Sequence, residues 1–488
     1  MAYCFGDGFD CYAAPGDAVL GYWDSGTAAF ALSVGRISGQ SIQRVTASST
    51  YLVKSSGVND AVHHINVAFY QNAALSGVLL GLAFNLVDGV TTQCSIVFRS
   101  DGAMLLTSGG TTGTVLDTYA GAVSVQSAWV SFEIEVVVNG TTGSWAVRKN
   151  GNTVNDRALG GLNTRTSANN YANKLQIGAS TGTIANQFFD DVLWRSDAAS
   201  VPWVGDIRAY TRMPSADASV QFARAPATIT QPANAGGSSA INSIGTARYA
   251  SFVPTNSGTI GTVTLPFAIA FTGNMKCSFF ASSGSGPTSV LGSATPVALS
   301  SALLATFTFS TPVSVVKGTQ YWIGFAPDAT SGQMTATGAA TGLASTTTYA
   351  NFPLVSPTTA NDRAPTASSV ISTTVNADFV SEAQQDGTST YVYDAVAGHA
   401  DFYNVAPLTP APASVVAVTT RGFVVKGDAG TRSGAVQLRS GGTTVAAPTV
   451  ALSTSFGWSW RTDTTNPAGG AWTAAAVDAA QIGPLVVS

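Results

Sequence analysis

Residues 129–155, WVSFEIEVVVNGTTGSWAVRKNGNTVN, constrain the fold more than any other stretch of this chain. From Val130 the apolar side chains fall at every second position, at Val130, Phe132, Ile134, Val136 and Val138, which is the period of a strand with one buried face. A helix would space them three and four apart. Asn139-Gly140 and Asn150-Gly151 tolerate the positive φ that tight turns require, so the stretch reads as two antiparallel strands followed by a second turn.

Composition extends that reading to the whole chain. Of 488 residues only 10% are charged, while Gly (50) and Pro (20) are frequent, a mixture that favours short strands and polar turns over helices. We therefore expect an all-β protein, long enough for two to four domains, with a helical turn or two only around residues 471–480. The formal charge is −4 and the 22 Lys and Arg are scattered singly, so there is no basic stripe for a nucleic-acid partner. So few charges suit a surface that packs on itself or on partners.

The opening MAYCFGDGFDCY has no basic residues and no continuous apolar run, so no secretory signal is expected. The most apolar window, Leu75 to Val87, is too short to cross a bilayer and reads as a buried strand bent at Gly81; no membrane insertion is expected. Cys4, Cys11, Cys94 and Cys277 are too few for a disulfide framework. Cys4 and Cys11 are close enough in sequence to be a candidate disulfide, with a reduced pair the favoured reading.

The Trp, aliphatic strand, Gly/Thr turn, second strand and Asn-Gly of the hairpin resemble laminin-G and concanavalin-A-like jelly rolls. The resemblance narrows over residues 1–225. The start CFGDGFDCYA and the segments GRISGQSIQRVTASSTYLVKS, NTRTSANNYANKLQIG and FFDDVLWRSD…VPWVGDIRAYTRMPSADAS look like laminin-G-like modules of tailed-bacteriophage virion proteins. Such modules open on an F.DsFDhY strand and close on iDDlyv.D followed by flGDvrv…P.aD, marks matched here at Asp7 to Tyr12 and Asp190 to Asp217. Residues 226–248 have linker or exposed-strand composition. The alternation that follows, through FTFSTPVSVVKGTQYWIGFAP, resembles jelly rolls of carbohydrate-binding type and gives a middle module within 226–365. Residues 328–378 lack a clear period and read as loop, linker or sandwich edge. The last module, 366–488, carries DGTSTYVYD, DAGTRSGAVQLRSGGT and NPAGGAWTAAAV, an order similar to a phage module that commonly follows the laminin-G-like one. Together these resemblances imply three β-sandwich (jelly-roll-like) modules in series, the middle one an insertion.

Concanavalin-A-like folds include glucanases, which makes Glu133 and Glu135 the first candidates for acid and nucleophile. Two apart on one strand, they share a face at about 7 Å. The further carboxylate of the glucanase pattern is replaced by Val136, Val137 and Val138, and two solvated carboxylates are the favoured reading. The only other Glu is Glu382. Gly178 to Gly182 matches GxSxG around Ser180, but a nucleophile elbow needs a helix after it and a polar TIANQ stretch follows. His63 and His64 are adjacent and point to opposite faces of a strand, and with His399 they lack partners at zinc-ligand spacing.

Asp190 and Asp191 are candidates for calcium, as the resemblance allows at a sandwich rim; the plainer expectation has one capping a turn and the other facing solvent. Tyr321 and Trp322 are candidate sugar platforms, but as neighbours in an apolar strand one ring must face inward and the other outward, and core packing is the favoured reading. Trp458 and Trp460 share a face and are the better platform candidates, although a role other than a platform is still the favoured reading. The resemblance implies a non-enzymatic structural component of a tailed-phage virion, a fibre, tail-tip or head or neck appendage. It would act by binding, with other virion proteins as partners and host-surface glycans as a further partner in adhesion. Decoration of capsid or neck is the alternative, and a polysaccharide-degrading enzyme a remote one. Trimerisation follows from the general habit of phage fibres. The expected place is the virion, reached from the host cytoplasm.

Overall fold

In the computed structural model the described residues are 3–10, 12, 14, 17–18, 22–26, 30–36, 39–44, 51–72, 80–123, 128–179, 187–226, 228–233, 239–242, 246–328, 331–337, 342–345, 347–353, 358–361, 364–381 and 391–488. Their regular structure is almost all strand, and every ladder is antiparallel. The one α-helix among them, Ala474–Asp478, is capped by Thr473, whose side chain accepts from the Ala476 N–H. No helix among the described residues is long and apolar enough to cross a membrane.

The hairpin takes its expected place. Strands Val130–Val137 and Gly143–Lys149 pair with Ile134 opposite Val147, and Val130–Val137 also pairs with Val62–Gln71. Only the second turn uses positive φ, at Asn150 (52°) and Gly151 (76°). At the first, Asn139 Oδ1 accepts from the N–H groups of Thr141 and Thr142, so the side chain itself closes the turn.

These strands sit in an eight-stranded sheet that also holds Tyr3–Asp7, Phe30–Val34, Gln40–Arg44, Arg157–Leu162 and Gln187–Asp197. A six-stranded sheet, from Tyr51–Asp60 to Thr114–Tyr119, lies against it. The inward rings interlock: Phe69 stacks on Phe98 with centroids 4.2 Å apart, and Phe98 meets Phe132 edge to face at 5.5 Å. Gly81 falls where the ladder to Thr91–Arg99 slips register, and a Cβ there would lie 2.6 Å from the Phe98 carbonyl; residues 75–79 of that apolar window lie outside the described set.

The chain divides into two compact units, Met1–Gln221 with Glu382–Gly387 and Asp394–Ser488, and Phe222–Ser381 with Thr388–Tyr393. The C-terminal residues thus share a unit with the first sandwich. Their sheet orders Pro214–Ser219, Phe402–Val405, Gln481–Val486, Ser433–Ser440 and Thr443–Ala446, so a strand that follows the first sandwich in sequence is its edge. A separate ribbon pairs Val418–Val424 with Gly457–Asp463. Gln221 is fastened inside the same unit: its N–H donates to Asp401 Oδ1 at 2.6 Å and its Oε1 accepts from the Ala400 N–H at 2.7 Å.

The second unit is built on the 25-residue strand Gly258–Ser282, which pairs in succession with Ser368–Thr373, Val297–Val315, Ser331–Thr337 and Tyr321–Pro327. The aperiodic residues 328–378 therefore supply several of its strands, and Thr228–Pro232 is a strand paired with Ser368–Thr373 rather than a linker.

Candidate functional site

The outer face of the eight-stranded sheet carries a group of charged side chains that the sequence places far apart. His64 faces Glu135 across the ladder between Val62–Gln71 and Val130–Val137, and Arg195 comes from Gln187–Asp197 on the other side. An irregular strap, residues 201–213, runs over them. Glu133 is buried beneath it and not solvated as expected: Oε1 accepts from the Val204 N–H at 2.8 Å and from Arg195 Nη2 at 2.9 Å, and Oε2 accepts from the Gly205 N–H at 2.8 Å. Burial opposes its charge, but the neighbouring His64 ring, the two N–H groups and the guanidinium outweigh that and hold the carboxyl below its ordinary value. Glu135 stays partly exposed and takes His64 Nε2 at 2.8 Å. His64 Nδ1 lies 3.6 Å from Glu133 Oε1, and Trp203 caps the ring at 4.7 Å while the Arg148 guanidinium covers Trp203 at 4.0 Å. Both oxygens of Glu133 are engaged by the strap and by Arg195, so it is not open to a sugar as acid or nucleophile.

Asp190 and Asp191 form a β-bulge, where the ladder to Val62–Gln71 slips and Asp191 has φ 52°. Both are buried, which corrects the expectation that one faces solvent. Asp190 accepts from the N–H groups of Arg36 (2.8 Å) and Asp191 (2.7 Å); Asp191 accepts from the Ala209 N–H (2.7 Å) and the Arg36 guanidinium (3.3 Å). Arg36 continues to Asp206 on the strap at 2.8 Å. Burial and the adjacent Asp191 push Asp190 up to about 8, and burial raises Asp191 as well. This pair does not fit calcium: its oxygens already face N–H donors and a guanidinium, where a cation needs free oxygens. Among the described residues no group of three or more His, Cys, Asp or Glu could hold a metal ion.

His63 points away from His64, as adjacency requires. Its Nε2 lies 2.9 Å from the Asp60 carbonyl, which can only accept, and Trp194 Nε1 lies 3.3 Å from Nδ1, which then accepts. The ring is a neutral structural histidine in the core. His399 pairs with Asp394 at 2.8 Å.

The aromatic candidates are committed elsewhere. Tyr321 and Trp322 both lie in the core of the second unit, since each face of their strand is covered. Tyr321 packs with Phe279 and Phe252, whereas Trp322 packs with Tyr249, Phe280 and Phe352 and donates Nε1 to Ser282 Oγ at 3.1 Å. Neither is a platform. Trp458 and Trp460 do share a face, but that face packs on the first sandwich: Trp458 Nε1 donates to the Asp17 carbonyl at 2.8 Å, and Trp460 meets Tyr22 edge to face at 5.2 Å under Lys54 Nζ at 4.2 Å. They are internal adhesive of the first unit, correcting the platform expectation.

Cys4, Cys94 and Cys277 are free thiols; Cys11 lies outside the described residues, as do Ser180 to Gly182 of the GxSxG match and Glu382. What sequence reasoning missed is the strap and its anchors Arg36 and Asp206. Nothing in a local pattern links Arg36 to positions 170 residues away.

No family model matches the chain, and no curated protein matches it. Among solved structures it is similar to the lectin of Bauhinia forficata in complex with GalNAc, at 8% identity over 41% of this chain and 100% of that one, TM-score 0.28. The acidic lectin of winged bean, complexed with methyl-α-D-galactose, aligns at 8% identity over 40% and 98%, TM-score 0.26. The CBM2 module of the evolved Dit of Lactobacillus casei BL23 phage J-1 aligns at 12% over 38% and 80%, TM-score 0.22. Likeness at these scores carries no argument about activity.

Proposed function

We propose that this chain is a structural protein of a tailed-bacteriophage particle, carried on a fibre, tail tip or head or neck appendage, and that it acts there by binding. One observation supports this reading above others: the two sequence marks of the phage-type module are built into a single closure. Tyr3–Asp7 from the opening pairs directly with Gln187–Asp197 from the close, Phe5 opposite Trp194 and Asp7 opposite Val192. Asp10 of the opening also accepts from Thr211 Oγ1 of the strap at 2.9 Å. The C-terminal module, whose resemblance is to the usual neighbour, grips the same closure through Arg421 and Asp7. Residues that mark the module in sequence are thus those that hold it shut.

Purified particles test this. Mass spectrometry should find the chain at stoichiometric abundance and immunogold labelling should place it on an appendage. A chain found only free in lysates overturns the reading, and label spread over the capsid turns it into decoration. Cross-linking of particle-derived protein reads the expected trimer.

A further inference from the structure

We infer that Tyr391 and Tyr393 are a stacking platform for a neutral pyranose polysaccharide. The inference deepens the binding role proposed above, which supplies its setting, by naming a ligand class.

The strand Tyr391–Tyr393 pairs with Ala223–Ala225 in a two-stranded ribbon of the second unit. Residues two apart on a strand share a face, and here the two rings are neighbours, with centroids 5.9 Å apart and planes tilted by 54°. They are 42% and 52% exposed, in a protein that buries Tyr249, Tyr321 and Tyr403 almost completely. Opposite them across the ladder stand Ala225 and Ala223, whose methyl groups are too small to cover a ring. The other ribbon face carries Val392 and Arg224, and the Arg224 guanidinium is tied to the Thr373 carbonyl at 2.9 Å and to Asn376 Oδ1 at 3.0 Å. One face of the ribbon is thereby braced, and the other offers two aromatic surfaces flanked by alanines.

Each element of this arrangement suits a sugar chain. The C–H face of a pyranose is apolar and lies flat on an aromatic ring, and the phenol oxygen can meet its hydroxyls. The rings lie 5.9 Å apart, close to one sugar residue along a chain, and their planes differ by 54°, so consecutive residues can each take one ring in a chain that twists from one residue to the next. Tyr has only two side-chain torsions, so little conformational freedom is lost on binding. Among the described residues the tyrosine face of the ribbon carries no charged side chain, which suits a neutral glycan. Bases also stack on aromatic rings, but a nucleic acid needs cations for its phosphates, and the ribbon's one cation is bound on the opposite face.

Affinity electrophoresis of the full chain through gels cast with dextran, mixed-linkage β-glucan, galactomannan or single-stranded DNA tests the inference. The wild type should be retarded by at least one polysaccharide and not by DNA. The double variant Tyr391→Ala, Tyr393→Ala should lose at least tenfold in affinity with an unchanged melting temperature, because the rings support no core. The double Phe variant, which keeps the stacking surfaces, should stay within a few-fold of wild type. No retardation in any polysaccharide gel, retention by the double Ala variant, or retention by DNA in place of glycan would overturn the platform. Absence from virions alongside glycan retardation that the double Ala variant loses would overturn the particle assignment and leave the platform standing.

Discussion

Arg421 Nη1 lies 3.2 Å from Asp7 Oδ1 and so joins residues 414 positions apart. Asp7 is fully buried and also accepts from the Phe9 N–H at 3.0 Å, Tyr12 Oη at 2.6 Å and Trp23 Nε1 at 2.8 Å. Asp7→Ala leaves these donors without an acceptor and Arg421 without a counter-charge, a loss of about 3–5 kcal/mol. Arg421→Met leaves Asp7 with its remaining donors and costs less, about 1–2 kcal/mol. Urea unfolding followed by Trp fluorescence should rank the midpoints wild type, Arg421→Met, Asp7→Ala; an unshifted Asp7→Ala midpoint contradicts the closure described.

Trp460 and the Tyr391 pair make opposite predictions for one substitution type. Trp460→Ala removes a ring packed against Phe5 and Tyr22 and should cost about 3 kcal/mol while leaving glycan retardation unchanged. Loss of retardation without loss of stability would restore Trp460 as a ligand platform.

Glu133 anchors the strap, so Glu133→Ala should free it. Two backbone N–H groups lose their acceptor and Arg195 its partner, at about 3–5 kcal/mol. Limited proteolysis with mass-spectrometric mapping should show cleavage within residues 201–213 in the variant before any elsewhere. Wild-type cleavage order in the variant would show that Glu133 does not hold the strap.

Burial lowers the His63 ring to about 4, from an ordinary value near 6.5. A base depressed in the folded state stabilises fully above its unfolded value, and that contribution is lost as pH falls from about 6.5 through about 4. At about 1.4 kcal/mol per unit, the full loss is about 3 kcal/mol. The stability difference between wild type and His63→Gln should shrink by that order between pH 7 and pH 4, read from denaturant midpoints. A pH-independent difference would refute the neutral assignment.

Periodicity and turn chemistry carried most of the fold. Val130 to Val138 alternate as a strand because one side meets Phe98 and its neighbours, and that information is local. The site was less legible for a physical reason. Glu133 reads as solvated because outward positions of a strand usually are, and only a strap arriving from Val204 and Gly205 buries it. Tyr321 and Trp322 were expected on opposite faces and are, but alternation cannot tell whether the second face is wet or covered. Trp458 and Trp460 mislead in the same way, since their outward face meets another part of the chain. Asp190-Asp191 broke the pattern for a different cause: a bulge places both carboxylates inside where regular alternation would bury one.

Gln221 closes a hydrogen-bonded clasp with Ala400 and Asp401 entirely within the first unit. The point where the chain departs and the point soon after it returns are thus fixed by bonds that the departing segment does not make. A junction of that kind is a socket: a different insert with two adjacent ends can replace the second unit while the host keeps this clasp. Variation in what a protein of this build recognises can then arise by exchange of the whole insert, faster than by rebuilding a binding surface one side chain at a time.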